Sequence, residues 1–178
     1  EYFQQTLIRE LGGKNSSRYP ARFYSDWEAR RDNVQPDWEV NLTLRNMNIP
    51  RPQTYTYSRN ASKQVETGRD TSGKFTYRTV YATINITRLY FTARADMEIS
   101  ISDIVSRKNI TYNTYREDYR WQEEHATYSG DSRALSANDW AIINNSYYNE
   151  PRKEDILNEL YRGIYPQVKN RITNAVDW

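Results

Sequence analysis

The chain contains no cysteine, a single histidine and no long apolar run. Without cysteine, disulfides, thiol nucleophiles and zinc–thiolate sites are excluded within these 178 residues. One histidine excludes a multi-histidine metal centre and leaves one candidate base for a Ser-His-Asp triad. No stretch approaches the roughly 18 consecutive apolar residues that a transmembrane helix needs.

The chain also lacks a large excess of one charge, because 25 Lys and Arg residues are balanced by 23 Asp and Glu residues, for a net charge of +2. So small an excess gives no reason to expect a nucleic acid or an anionic membrane as partner. Tyrosine is abundant, with 16 residues, and there are five tryptophans. The length suits one domain with a substantial core, so we expect a single domain over residues 1–178.

The clearest pattern is strict alternation, in which every second residue from Leu89 to Ile101 is apolar. Seven matches to a period of two predict a strand with one buried face. Residues 102–109 then read as a turn and 110–121 as a return strand, after which the pattern becomes irregular. In the preceding strand, 75–87, the apolar residues are even-numbered, and this change of parity predicts a β-bulge or bend near residues 87 and 88.

The other elements carry familiar end signals, such as an N-cap with an acid three residues later, or a proline in the first turn. They predict four helices: 1–11, 27–32, one after the Ser136-Ala-Asn-Asp139 capping box, and one from Pro151 to the C-terminus. They also predict strands at 37–46 and 53–66 and a turn at 68–73. This order predicts an α+β fold. We expect a single antiparallel sheet, mostly a meander, with N-terminal helices and a long C-terminal helix packed on one face.

Catalytic chemistry finds little support. His125 follows Glu123 and Glu124, and a solvated histidine explains this setting more simply than a catalytic one. Adjacent carboxylates point to opposite faces of a strand or diverge on a helix, which does not favour paired acid–base work. We therefore expect a protein that is not an enzyme, with no catalytic residue, no cofactor and no metal.

Binding is the more productive interpretation. Segment 128–135 contains a glycine, an acid and a base. It is either a loop that bonds to itself and packs Leu135 on the sheet, or a recognition loop for a partner. The strand tyrosines either stabilise the sheet through cross-strand pairs or stand outward, where they can stack on sugars or anchor a protein. The candidate partner-binding residues are Tyr128, Asp131, Arg133, Tyr90 and Tyr115.

Two resemblances add to this reading. A short extended segment is predicted at 19–24, between the helices at 1–11 and 27–32. This helix, short strand and second helix before Asp37-Trp-Glu-Val40, with the corner Ile99-Ser-Ile-Ser-Asp103, resemble the α/β domain of the curli-pore (CsgG-like) lipoproteins and the TolB N-terminal domain. The whole chain is similar to envelope lipoproteins of the Bacteroidota. That similarity rests on Tyr-Thr-Tyr-Ser-Arg59, Gly-Arg-Asp-Thr-Ser-Gly73, Gly-Asp-Ser-Arg-Ala-Leu135 and Ile-Leu-Asn-Glu-Leu-Tyr161.

The resemblance to envelope lipoproteins implies a periplasmic or outer-membrane location, with membrane association only through a lipid anchor upstream of Glu1. We expect a non-enzymatic cell-envelope protein that binds an envelope protein partner or assembles with itself, and no nucleic acid. The alternative is a glycan- or peptidoglycan-binding module that uses exposed tyrosines together with Asp131 and Arg133.

Overall fold

The computed structural model describes residues 2–12, 21–145 and 149–176. Within these residues the backbone forms four α-helices, four β-strands and one 3₁₀ turn. They are α1 (Tyr2–Gly12), α2 (Asp26–Arg31), β1 (Trp38–Asn48), β2 (Gln53–Arg69), β3 (Phe75–Asp103), β4 (Lys108–Gly130), the 3₁₀ turn (Ser132–Ala134), α3 (Ala137–Ile143) and α4 (Lys153–Val176).

The four strands form one antiparallel sheet in which β3 pairs with each of the other three. β1 pairs with β3 over Arg94–Asp103, and β2 pairs with β3 over Phe75–Tyr90. β4 follows β3 after a short turn and pairs with it. With α1 at the start and α4 at the end of the chain, this architecture confirms the predicted α+β fold.

Contacts within the chain cluster into two compact units. Unit 1 consists of Glu1–Ile49, Ala93–Tyr119 and Arg152–Trp178, and unit 2 consists of Pro50–Thr92 and Arg120–Pro151. β3 and β4 contribute residues to both units. The single domain expected from the chain length stays a prediction.

The core of unit 1 joins the long helix to the sheet. The odd-numbered residues of β3 from Ala93 to Ile101 are at most 4% exposed, and Leu7 and Leu11 of α1 are also buried. Spacing of four residues places the apolar side chains of α4 on one stripe, which is the side that faces a core. The buried residues of that stripe are Ile156, Leu160, Ile164, Val168 and Ile172.

Unit 2 has a separate apolar cluster, built on the even-numbered residues of β3 from Val80 to Ile86. Ala126 of β4, Ala134 and Leu135 complete the buried set, and side chains of β2 and α3 pack against it. The predicted capping box of α3 is confirmed, since the Ser136 hydroxyl accepts from the Asp139 N–H at 3.2 Å and donates to the Asp139 carboxylate at 2.8 Å.

Two expectations about the strands differ from the structure. β4 continues to Gly130, whereas the chain after Trp121 was expected to be irregular. That prediction was wrong because Glu123 and Glu124 interrupt the apolar pattern, although both carboxylates are hydrogen-bonded to other side chains of unit 2. Glu123 accepts from Asn145 at 3.3 Å and Glu124 accepts from Arg88 at 2.7 Å, so no apolar alternation marks the strand.

A β-bulge or bend was expected near Thr87 and Arg88, and the β2–β3 pairing contains no bulge there. That pairing keeps constant register from Gln53 to Glu66 and shifts only between Glu66 and Gly68. The buried residues of β3 are even-numbered in unit 2 and odd-numbered in unit 1, because different elements cover the strand in each unit. A strand has a side chain on each face in alternation, so this change needs no inserted residue.

Candidate functional site

The outward face of β2 and β3 in unit 2 carries five successive cross-strand pairs of uncharged polar residues. We call these ten residues the polar ladder: Thr56↔Thr87, Ser58↔Asn85, Asn60↔Thr83, Ser62↔Tyr81 and Gln64↔Thr79. They face outward because the alternate residues of β3, from Val80 to Ile86, enter the core. At about 3.3 Å per residue, the ladder is roughly 26 Å long.

Hydrogen bonds order the side chains of the ladder. The Ser58 hydroxyl donates to Asn85 Oδ1 at 2.7 Å, and the Thr83 hydroxyl donates to Asn60 Oδ1 at 3.1 Å. Each amide therefore accepts through its oxygen and keeps donor capacity on its nitrogen for an external acceptor. These two bonds therefore hold four of the ten ladder side chains to their cross-strand partners.

Tyr81 is the aromatic member of the ladder and has 67% of its surface exposed. A shallow depression of about 410 Å³ lies beside it, lined by Asn60, Ser62, Tyr81 and Thr83 with the two alanines Ala61 and Ala82. An exposed aromatic ring next to amide and hydroxyl groups offers both an apolar surface and directed hydrogen bonds.

The backbone beneath Tyr81 is fixed by the end of β4. The Asp131 N–H donates to the Tyr81 carbonyl at 2.9 Å. Gly130 has φ of +107°, and a Cβ built on it would lie 2.6 Å from that carbonyl oxygen. Glycine is required here both by the backbone angle and by the close approach of two chains.

β2 is an edge strand in the part of the chain that the structure describes, because its only strand partner there is β3. It spans 17 residues and contains no proline. On the other side of its backbone, no strand of the described residues pairs with its N–H and C=O groups, and this is the feature by which a sheet can accept a further strand.

The charged side chains of unit 1 contrast with the neutral ladder of unit 2. Along β3, Arg94 bonds to Asp118 and the buried Asp96 bonds to Arg116, both at 2.7 Å. The Arg116 guanidinium, with help from the Asn46 amide, lowers the pKa of Asp96 to about 2. These groups neutralise one another and serve the fold.

The predicted recognition loop bonds to itself. Asp131 caps the 3₁₀ turn by accepting from the Arg133 N–H at 3.0 Å, and the Arg133 guanidinium reaches the same carboxylate at 2.6 Å. These contacts, the guanidinium first, lower the pKa of Asp131 to about 2. Leu135 is 5% exposed. The arrangement is the self-bonded loop named as one alternative from the sequence.

The predicted tyrosines lie in different surroundings. Tyr128 is half-buried in unit 2, with its ring centroid 5.5 Å from that of Trp140 in an edge-on contact. Tyr90 of β3 is 39% exposed and pairs with Gln53, the first residue of β2, outside the polar ladder. Tyr115 is half-buried in unit 1. Of the five candidates, the structure joins only Asp131 and Arg133 by a direct bond.

Unit 1 contains a large open cleft of about 1920 Å³. Its lining includes apolar residues of α1, β1 and α4. Within it the Tyr165 hydroxyl is buried and, among the described residues, has no hydrogen bond of good geometry. Burial first, and then the nearby Glu10 carboxylate, raises the pKa of Tyr165 to about 12. Glu10 is itself paired with Lys169.

Catalytic or metal chemistry finds no constellation in the described residues. His125 is exposed on β4, and no group of three or more His, Asp or Glu side chains there is placed to hold a metal ion. No helix among the described residues is long and apolar enough to cross a membrane.

Sequence reasoning missed the polar ladder. The available signal was a run of uncharged polar residues at even positions from Thr54 to Gln64. The odd positions include Arg59 and Lys63, so the run lacks the apolar contrast by which a strand face is normally recognised. Comparison of the chain with protein-family models, with curated proteins and with solved structures finds no match to any of them.

Proposed function

We propose that this chain is a non-enzymatic cell-envelope protein that acts as a protein-interaction or assembly component through the open edge of β2. The observation that carries the proposal is the length and regularity of that edge. β2 keeps constant register from Gln53 to Glu66, with neither a proline nor a bulge. The periplasmic or outer-membrane location comes from the resemblance to envelope lipoproteins.

Regular edges of this kind are rare in isolated proteins because they invite pairing with another chain. Natural sheets block them with prolines, bulges, very short strands, charged side chains or a covering element. Within the described residues, the stretch of β2 from Gln53 to Glu66 has only the charges of Arg59, Lys63 and Glu66 from this set. A partner strand placed along β2 would gain main-chain hydrogen bonds over many residues, and pockets for its alternate side chains would supply selectivity. A second copy of this chain or a strand of another envelope protein would satisfy the same geometry.

The test uses proline at two adjacent exposed positions, Ser62→Pro and Lys63→Pro. In an antiparallel pair, successive residues direct their N–H groups alternately toward the neighbour and toward the open side. One substitution therefore removes a β2–β3 hydrogen bond, and the other removes only a donor from the open edge. The urea unfolding midpoint distinguishes the two variants, because the one that loses a β2–β3 hydrogen bond is the less stable.

The full-length tagged protein is then purified from detergent-solubilised envelope, and its mass and co-eluting proteins are measured. We expect self-association or a stoichiometric partner in the wild type and its loss in the edge-facing proline variant. Equal association in wild type and in that folded variant would contradict the proposal. A wild-type protein that is monomeric and elutes alone would contradict it as well.

A further inference from the structure

The polar ladder differs from the rest of the molecule in having no charge. In this chain 27% of residues are charged, so ten positions would on average carry two or three charges. The ladder carries none and instead presents hydroxyl groups, two asparagine amides, a glutamine and a tyrosine ring. It lies on the face of the sheet, whereas the proposed strand partner would occupy the edge of β2.

The composition of the ladder discriminates between ligand classes. A polyanion requires Lys or Arg at the contact, because its affinity comes from neutralised charge. A protein interface normally has an apolar centre, and the ladder offers only one aromatic ring there. A neutral glycan needs groups that donate and accept hydrogen bonds to hydroxyls, and an exposed aromatic ring against the apolar face of a sugar. The ladder supplies both.

We propose that the polar ladder binds a linear, neutral polysaccharide, with Tyr81 as the stacking platform and the amides of Asn60 and Asn85 as hydrogen-bond donors to its hydroxyl groups. A linear ligand fits because the five pairs follow one another along the two strands over roughly 26 Å. The shallow depression between Asn60 and Tyr81 is the position at which one sugar ring would sit.

The experiment is affinity electrophoresis of the full chain in gels that contain dextran, laminarin, xyloglucan or galactomannan as neutral probes. Gels with polygalacturonate or heparin provide the acidic comparison. Tyr81→Ala removes the ring, and its matched control is Tyr112→Ala, a tyrosine of unit 1 that is 58% exposed. Asn60→Asp replaces the donor amide at constant shape, with Asn41→Asp on the exposed side of β1 as its control.

We expect at least one neutral polysaccharide to retard the wild type. Tyr81→Ala should weaken that binding about two- to tenfold, the range that one aromatic contact of 0.5–1.5 kcal/mol supports. Asn60→Asp should also weaken it, and the two control variants should leave it unchanged.

Three results would overturn the proposal: no retardation by any neutral probe, retardation by the acidic polymers alone, or retardation of Tyr81→Ala equal to that of the wild type. If a co-purifying protein is lost in Tyr81→Ala while no polysaccharide is bound, the face belongs to a protein partner and the glycan proposal falls. Ser62 belongs to the polar ladder, so strand pairing is scored by association of the proline variants and glycan binding by Tyr81→Ala, which leaves the β2 backbone unchanged. Failure of one proposal therefore does not imply failure of the other.

Discussion

Replacing Gly130 by alanine should destabilise unit 2 far more than a glycine substitution normally does. The added Cβ would lie 2.6 Å from the Tyr81 carbonyl oxygen and 2.9 Å from the Ala82 Cα. Both atoms belong to the backbone, so no side-chain rotation relieves the clash. β3 and the end of β4 must separate, and the hydrogen bond from the Asp131 N–H to Tyr81 is lost or lengthened.

The magnitude follows from two contributions. Holding a non-glycine residue at a disfavoured positive φ costs about 1–3 kcal/mol, and loss of one backbone hydrogen bond adds about 0.5–1.5 kcal/mol. We therefore expect Gly130→Ala to lower the free energy of unfolding by about 1.5–4.5 kcal/mol. Gly73→Ala is the matched control, because Gly73 also has positive φ, at +84°, but has no heavy atom within 4 Å of its built Cβ.

Urea unfolding of both variants measures the difference, and hydrogen exchange at Asp131 locates it. Gly73→Ala should cost about 1–3 kcal/mol, from backbone strain alone, and Gly130→Ala should cost more because it also loses a backbone hydrogen bond. The Asp131 amide should exchange faster in Gly130→Ala and at the wild-type rate in Gly73→Ala. If the two variants lose equal stability, the close approach at Gly130 does not constrain the sheet, and the argument that it fixes the Tyr81 backbone fails.

Two further predictions concern buried carboxylates. The pKa of Asp96 is about 2, below the ordinary value of 3.8, so its ion pair with Arg116 stabilises the fold above pH 4 and is lost as the pH falls from about 4 to about 2. Urea midpoints against pH should therefore fall less steeply in this window for Asp96→Asn than for wild type, and parallel curves would refute the assignment. Asp139→Ala removes the α3 capping box and the partner of Arg59, and should cost about 1–3 kcal/mol. Asp32 is exposed, so the control Asp32→Ala should lower the free energy of unfolding by less than about 0.5 kcal/mol in the same thermal or urea assay. An equal loss of stability in Asp139→Ala and Asp32→Ala would show that Asp139 does not anchor α3.

Much of the fold was predictable because its signals are local. The stripe from Ile156 to Ile172 identified α4, since helical spacing places those residues on one side whatever they pack against. Ser136 and Asp139 identified the start of α3 in the same way, through a bond that spans three residues. The alternation from Leu89 to Ile101 identified the second part of β3.

The binding surface was less predictable because its parts are distant in sequence. The loop around Asp131 stands out in the sequence, but its charges satisfy each other across two residues. Ser58 and Asn85 are 27 residues apart and form a pair only when β2 and β3 take the observed register. No single strand reveals that its outward side chains will meet neutral partners on the next strand.

The sequence by itself determined most of the helices and strands, and it excluded cysteine and multi-histidine chemistry, because periodicity and composition are properties of the chain alone. Tertiary structure decided three things: that β4 continues through Glu123 and Glu124, that β2 lies at an edge, and that ten uncharged residues form one row. The physical reason is that alternation fixes the two faces of a strand, whereas register and neighbours depend on contacts made after the chain folds back.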